Sequence, residues 1–218
     1  MNDHFSEFCS ILVIKLAPFN IFTFQLKAKE DRFKGLSDEE VVMQIIASKK
    51  SDLYSILYRR YQQKVFKKCF SLVKDRQLAS ELTQEIFTKA FEKLDKFRGE
   101  ASFSSWLFSI TYNHSIEFLR HKRQLHYPEW NNSHEIAEII DESEKDFATL
   151  KYKRMLEIFD QIHPEEKTLL LMKYQDNFPL KVIQDTLKIS ESAAKMRIKR
   201  AKARVLFLYK TKYEKNGY

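Results

Sequence analysis

The sequence predicts an all-α fold of two helical domains joined by a flexible acidic linker. Three observations carry that reading. Apolar residues recur at helical spacing through most of the chain, and no stretch keeps the strict alternation of a half-buried strand. Only 3 of the 218 residues are Gly and 4 are Pro, which suits helices and leaves little material for the tight turns of a β fold. Charge is also segregated: Gln124 to Ala148 holds seven acids against Lys145 alone, whereas Thr149 to Tyr218 holds 16 Lys and Arg against 8 Asp and Glu.

Each helix has its own local signals. Leu36 precedes Ser37, a natural N-cap, and Glu40 stands at the capping-box position, so a helix opens here and continues through Val41, Ile45 and Ile46. A long helix starts near Ser51 or Asp52, with Leu53, Ile56, Leu57, Tyr61, Val65 and Cys69 as its buried stripe. A break falls around Asp75, and a third helix runs from about Gln77 to Leu94. Asp95 to Ser102 is a loop containing Gly99, and a fourth helix runs from about Phe103 to Arg123. The stretch from Gln124 to about Ser143, acidic and weakly periodic, reads as linker. Helices resume at about 147–161, 164–175, 179–187 and 190–210, with Pro164 and Pro179 marking starts. The divisions are a 1–35 extension, a 36–123 domain, a 124–146 linker, a 147–210 domain and a 211–218 tail.

Composition narrows the function. A net charge of +8, concentrated in the last third, favours a polyanionic partner. Cys9 and Cys69 form no paired motif, and the six His do not cluster at ligand spacing, so neither a disulfide framework nor a metal site follows, and no cofactor is expected. Ile11 to Leu26 is apolar but interrupted by Lys15, Pro18, Asn20 and Gln25, too short and broken for a membrane span, and no small-residue cleavage site follows it as in a signal peptide. It is a short packed helix, a partner-binding appendage or an upstream start-codon artefact. There is no phosphate-binding glycine loop and no nucleophile motif, so an enzyme is not expected. A cytoplasmic setting is.

The segment SESAAKMRIKRAKARV, Ser190 to Val205, is the most informative. Ala194, Ile198, Ala201, Val205 and Leu208 lie on one face, and Lys195, Arg197, Lys199, Arg200, Lys202 and Arg204 crowd the rest. Ser190 caps it and Glu191 sits where the dipole favours an anion. Leu180 to Leu187 forms a shorter helix ahead of a turn at Lys188 and Ile189. Such a helix-turn-helix places its second helix in a DNA major groove. A solvated basic surface helix is the plainer reading of the same segment.

Two blocks together resemble RNA polymerase sigma factors of the extracytoplasmic-function class. Ala79 to Arg120 (ASELTQEIFTKAFEKLDKFRGEASFSSWLFSITYNHSIEFLR) resembles their region 2, and His163 to Val205 resembles their region 4. The resemblance spans about Leu36 to Leu208. It implies a transcription initiation factor, not an enzyme, that binds core RNA polymerase, directs it to −35 and −10 promoter DNA elements and helps to open the latter. Glu81, Gln84, Glu85 and Thr88 are then the polymerase-facing side. Lys96, Phe97 and Arg98 with Asn113 take a flipped −10 base. Arg120, Lys122 and Arg123 meet upstream phosphates. Lys195, Met196, Lys199 and Arg200 enter the −35 major groove, while Arg197, Lys202 and Arg204 fall to backbone contacts or solvent. Trp106 is read as core packing before DNA contact. An anti-sigma factor or other regulator is a further implied partner.

The chain departs from the family pattern in several places. Gln184 and Lys188 stand where a small residue and Gly are usual, Val182 where an acid is usual, and Glu117 where Asp is common. These place the helix-turn-helix geometry in question more than its function. The rival reading is a stand-alone helix-turn-helix regulator that binds duplex DNA without polymerase; the FRGEASF loop and the Trp106 helix speak against it.

Overall fold

The computed structural model describes residues 35–48, 53–123 and 152–213. Four helices form an amino-terminal bundle: α1 (Asp38–Ser48), α2 (Tyr54–Val73), α3 (Arg76–Glu92) and α4 (Phe103–Arg123). Four more follow: α5 (Tyr152–Phe159), α6 (Pro164–Leu170), α7 (Leu180–Leu187) and α8 (Glu191–Tyr213). No strand occurs among the described residues, and no helix among them is long and apolar enough to cross a membrane. The linker and the amino-terminal extension lie outside the described residues.

Caps set the helix starts. Ser37 N–H donates to Glu40 Oε2 at 2.7 Å and Glu40 N–H to Ser37 Oγ at 3.2 Å, the reciprocal box the sequence predicts. Hydrogen bonding from Ser37 holds the exposed Glu40 carboxyl below its usual range. Lys74 turns left-handed (φ 57°) to end α2, and Asp75 accepts from Leu78 N–H at 2.9 Å to open α3. Pro164 occupies the first turn of α6; Pro179 sits one position earlier than expected, as the cap of α7.

The whole predicted stripe of α2, from Leu53 to Cys69, is buried. It packs against Leu82, Ile86 and Phe87 of α3 and Phe103, Leu107 and Tyr112 of α4. Tyr54 donates its hydroxyl to Phe87 carbonyl oxygen at 2.9 Å, which satisfies a phenol otherwise sealed in the core. On α1, Val41, Val42 and Ile45 give the helix its buried ridge, and Ile46 is 39% exposed.

The second helical set does not stand apart from the first. Leu169, Met172, Phe178, Ile183, Leu187 and Ile198 join the amino-terminal core, with α7 lying on α4. A smaller cluster of Ile158, Phe159, Leu170, Val205 and Tyr209 fastens α5, α6 and α8 together. Between α6 and α7 the chain makes a π turn over Leu171–Gln175, in which Asp176 N–H reaches Leu171 carbonyl at 3.0 Å.

That turn delivers Asp176 to the seam between the two sets. Lys68 Nζ donates to Asp176 at 2.7 and 2.8 Å, and Tyr112 Oη donates to Asp176 Oδ2 at 2.7 Å. The Lys68 and Asp176 side chains are 10% and 9% exposed, so the pair is largely dry. Burial pulls the Lys68 ammonium below its usual range despite the carboxylate, and pushes the Tyr112 phenol well up.

Two substitutions check this architecture by urea denaturation. Leu57→Ala empties a fully buried site and should cost about 2–5 kcal/mol. Asp75→Ala removes only a cap and should cost about 1 kcal/mol.

Candidate polymerase and promoter-DNA surfaces

Three surfaces collect the residues singled out in the sequence. The first is one side of α3. Glu81, Gln84 and Glu85 are exposed and Thr88 half-buried, spaced so that they form a single stripe. Opposite them Leu82, Ile86, Phe87 and Ala90 are sealed in the core. Gln77 donates to Glu81 at 3.1 Å, and Thr88 Oγ1 to Gln84 carbonyl at 3.1 Å. Glu85 Oε2 lies 2.6 Å from His114 Nε2 on α4; an ionised carboxylate only accepts, so the contact puts the proton on that nitrogen.

The second surface is the loop before α4 and the helix that follows. A short 3₁₀ turn, Leu94–Lys96, precedes Phe97, and Gly99 takes φ 72°, which a side chain would strain. Phe97 lies edge-on to Phe103 and Trp106, ring centroids 6.0 and 5.5 Å away. Trp106 itself packs against the main core and serves as a floor under Phe97. Lys96 and Arg98 flank Phe97 and are exposed. The start of α4 is held twice: Ser102 Oγ accepts from Ser105 N–H at 3.2 Å, and Glu39 of α1 accepts from Phe103 N–H at 2.8 Å.

Asn113 is half-buried, two turns beyond Trp106 on α4. Lys122 is exposed; the Arg123 side chain lies outside the described residues. Arg120 is not turned wholly to solvent: its Nε donates to Glu165 Oε1 of α6 at 2.7 Å.

The third surface is the exposed side of α8. Ser190 Oγ accepts from Ala193 N–H at 3.2 Å, the predicted cap, and Ala194, Ile198, Ala201 and Val205 form the predicted buried seam. Lys195, Met196, Lys199 and Arg200 are all exposed and adjacent on the far side. Lys195 pairs with Glu191 at 2.5 Å, and the ammonium draws that carboxyl's pKa down.

The flanking cations differ from expectation. Lys202 is 6% exposed with its ammonium 5.8 Å from the Tyr174 ring centroid, and Arg197 and Arg204 reach Glu165 and Glu166, each at 3.5 Å. The reason is that α6 runs beside α8, so the long stems cover its apolar surface while their heads find its two carboxylates.

The helix-turn-helix closes despite its unusual residues. Lys188 adopts φ 54°, ψ 48°, the left-handed conformation glycine takes at no cost, and Gln184 carbonyl accepts from the N–H groups of both Lys188 and Ile189. Lys188 then extends to Glu117 of α4, 3.3 Å away. Sequence reading marked both residues only as departures; nothing in the linear order shows that they meet. Glu165 and Asp176 went unnoticed for the same reason, since their partners lie 45 and 108 residues away.

A basic recognition helix on a closed helix-turn-helix, carried beside a bundle with an aromatic-backed loop, defines a helical DNA-binding protein. Comparison with known proteins specifies the kind. The family model for sigma-70 region 2 matches residues 57–124 and that for sigma-70 region 4 matches residues 152–205, together more than half of the chain. The chain is 24% identical over 164 residues to the ECF RNA polymerase sigma factor SigW of Bacillus subtilis, covering 69% of this chain and 86% of that protein. It is 25% identical over 178 residues to the ECF RNA polymerase sigma-E factor of Haemophilus influenzae, covering 77% and 92%. Among solved structures, CnrH in complex with the cytosolic domain of CnrY aligns with TM-score 0.53 at 19% identity over 80% of this chain and 97% of that one. The sigma factor RpoE of Bartonella quintana, in complex with the anti-sigma factor NepR, aligns with TM-score 0.51 at 16% identity over 74% and 98%. The chain belongs to the sigma-70 family, as an ECF sigma factor.

Packing and exposure separate the site residues by what they cost to remove. Trp106→Ala should lower stability by about 3 kcal/mol in a urea melt, since a core-packed aromatic is lost. Met196→Ala, at a side chain 47% exposed, should stay within about 0.5 kcal/mol of the parent.

Proposed function

We propose that the chain directs core RNA polymerase to promoters through these three surfaces. The observation that supports the reading is that segments matching region 2 and region 4 occur in family order, with the α3 stripe and residues 195, 196, 199 and 200 of α8 exposed on helices and the Lys96–Arg98 loop set at the start of α4. The α3 stripe of Glu81, Gln84, Glu85 and Thr88 docks on the polymerase: it is polar and continuous, and its reverse side is anchored in the core.

Phe97 and Asn113 receive a base extruded from the −10 element. Extrusion costs a few kcal/mol of stacking, which an aromatic face and an amide able to read a base edge offset. Lys96, Arg98, Arg120, Lys122 and Arg123 hold phosphates nearby, where charge gives affinity without sequence choice. Lys195, Met196, Lys199 and Arg200 read the −35 major groove: the cations suit guanine edges and phosphates, and the methionine suits thymine methyls.

The chain thus works where RNA polymerase does, the cytoplasm. One of the similar structures holds an anti-sigma factor, and a protein of that kind is the natural regulator of this chain.

The test is capture of bacterial core polymerase followed by run-off transcription. The wild-type chain should bind core stoichiometrically and give promoter-dependent transcripts, and Gln84→Ala/Glu85→Ala should weaken capture at least tenfold. Phe97→Ala should leave capture intact and reduce −10 opening, read with a fluorescent base analogue, by about 5- to 150-fold, the value of one stacked base. Tight binding of duplex promoter DNA by the chain alone, with no capture of core, would overturn the reading.

A further inference from the structure

We infer that His114 of α4 is a positioning residue for polymerase docking, holding Glu85 of the α3 stripe in one orientation before any partner arrives. This rests on the function proposed above, in which that stripe meets core polymerase. The observation behind it is the 2.6 Å contact between His114 Nε2 and Glu85 Oε2. Both the Nε2–H tautomer and the imidazolium present a proton at that nitrogen, so the donor is there whichever of the two forms the ring takes.

The two partners differ in how firmly the fold holds them. The His114 side chain is 13% exposed, whereas that of Glu85 is 56% exposed. A largely covered ring therefore fixes a carboxylate whose three torsions would otherwise turn freely in water. The bond engages one carboxylate oxygen and leaves more than half of the side chain open, so Glu85 is steadied without being covered. Its own helix offers other neighbours. Lys89 stands four residues on, where a helix glutamate ordinarily finds a cation, and Glu81 stands four residues back, where a like charge repels. Glu81 accepts from Gln77 at 3.1 Å, and Thr88 Oγ1 donates to the Gln84 carbonyl at 3.1 Å. Those two stripe residues are held from within α3; Glu85 is held from α4.

Ordering a rotamer-rich side chain at an interface subtracts from affinity, and a side chain already ordered in the free protein escapes most of that loss. For the single glutamate at stake, the advantage is about 2- to 12-fold in binding. His114 reaches the polymerase interface only through Glu85, so its contribution exists only while that carboxylate is present.

The test is an affinity titration of the labelled full chain with bacterial core polymerase. His114→Leu fills much of the same space without an N–H and should weaken binding about 2- to 12-fold. His114→Gln, whose amide nitrogen can stand where Nε2 stood, should bind like the wild type. In a Glu85→Ala background, His114→Leu should change nothing further, because the two residues act as one unit. Should His114→Leu fail to fold, His114→Asn, too short to reach Glu85, takes its place against His114→Gln. Wild-type affinity in the Leu variant, a loss that Gln does not recover, or the same loss with and without Glu85 overturns the inference. A wild-type chain that does not bind core, or a Glu85→Ala chain that binds as well as wild type, counts against the α3 stripe itself, and the role of His114 falls with it.

Discussion

The arrangement of the two helical sets depends on one carboxylate. Asp176 enters a largely dry seam and is met by an ammonium and a phenol, so its burial is compensated by three charge-assisted hydrogen bonds. Apolar contact alone tolerates sliding, since one leucine fits many neighbours nearly as well. A buried charge with two fixed donors does not, because a slip of an ångström or two leaves an ammonium and a carboxylate unpaired. Removing one member of such a pair typically costs about 3–5 kcal/mol. The position of α7 on α4, and with it the approach of α8 to α4, follows from where Asp176 is held.

The same economy explains the cations of α8. An arginine on the edge of a recognition helix can bind a phosphate or a neighbouring carboxylate, and the choice depends on what is near. Here Glu165 and Glu166, each almost fully buried, draw in Arg197 and Arg204. Residues 195, 196, 199 and 200 are exposed on the other side. The buried acids thus sort a uniformly basic helix into an inward set that supports the fold and an outward set available to a groove. Lys202, sealed against Tyr174, belongs to the first set although its charge alone suggests the second.

What could be read from the sequence was local. The capping box at Ser37 and Glu40, the α2 stripe, the exact span of α4 and the seam of α8 all follow from spacings of a few residues, and all stand in the structure. The outward stripe of α3 is the complement of its buried face and was legible for the same reason. Lys202 was misplaced because amphipathic stems bury as readily as they project. The seam itself was invisible: Lys68 with Asp176, Arg120 with Glu165 and Glu117 with Lys188 are pairs of common surface residue types, and only the packing of distant helices brings them together.

The π turn at Leu171–Gln175 makes chain length, and not only chemistry, a determinant of the seam. An i→i+5 turn spends one residue more than an α-helical turn, so winding these same residues as ordinary α-helix would swing everything downstream by one residue's rotation, about 100°. Asp176 would leave Lys68, and Phe178 would leave the core, with every side chain still present. Insertions and deletions in these five residues thus act as a coarse dial on whether the two helical sets can meet. Two relatives with identical contact residues can differ in resting shape through a single-residue change in the length of this turn.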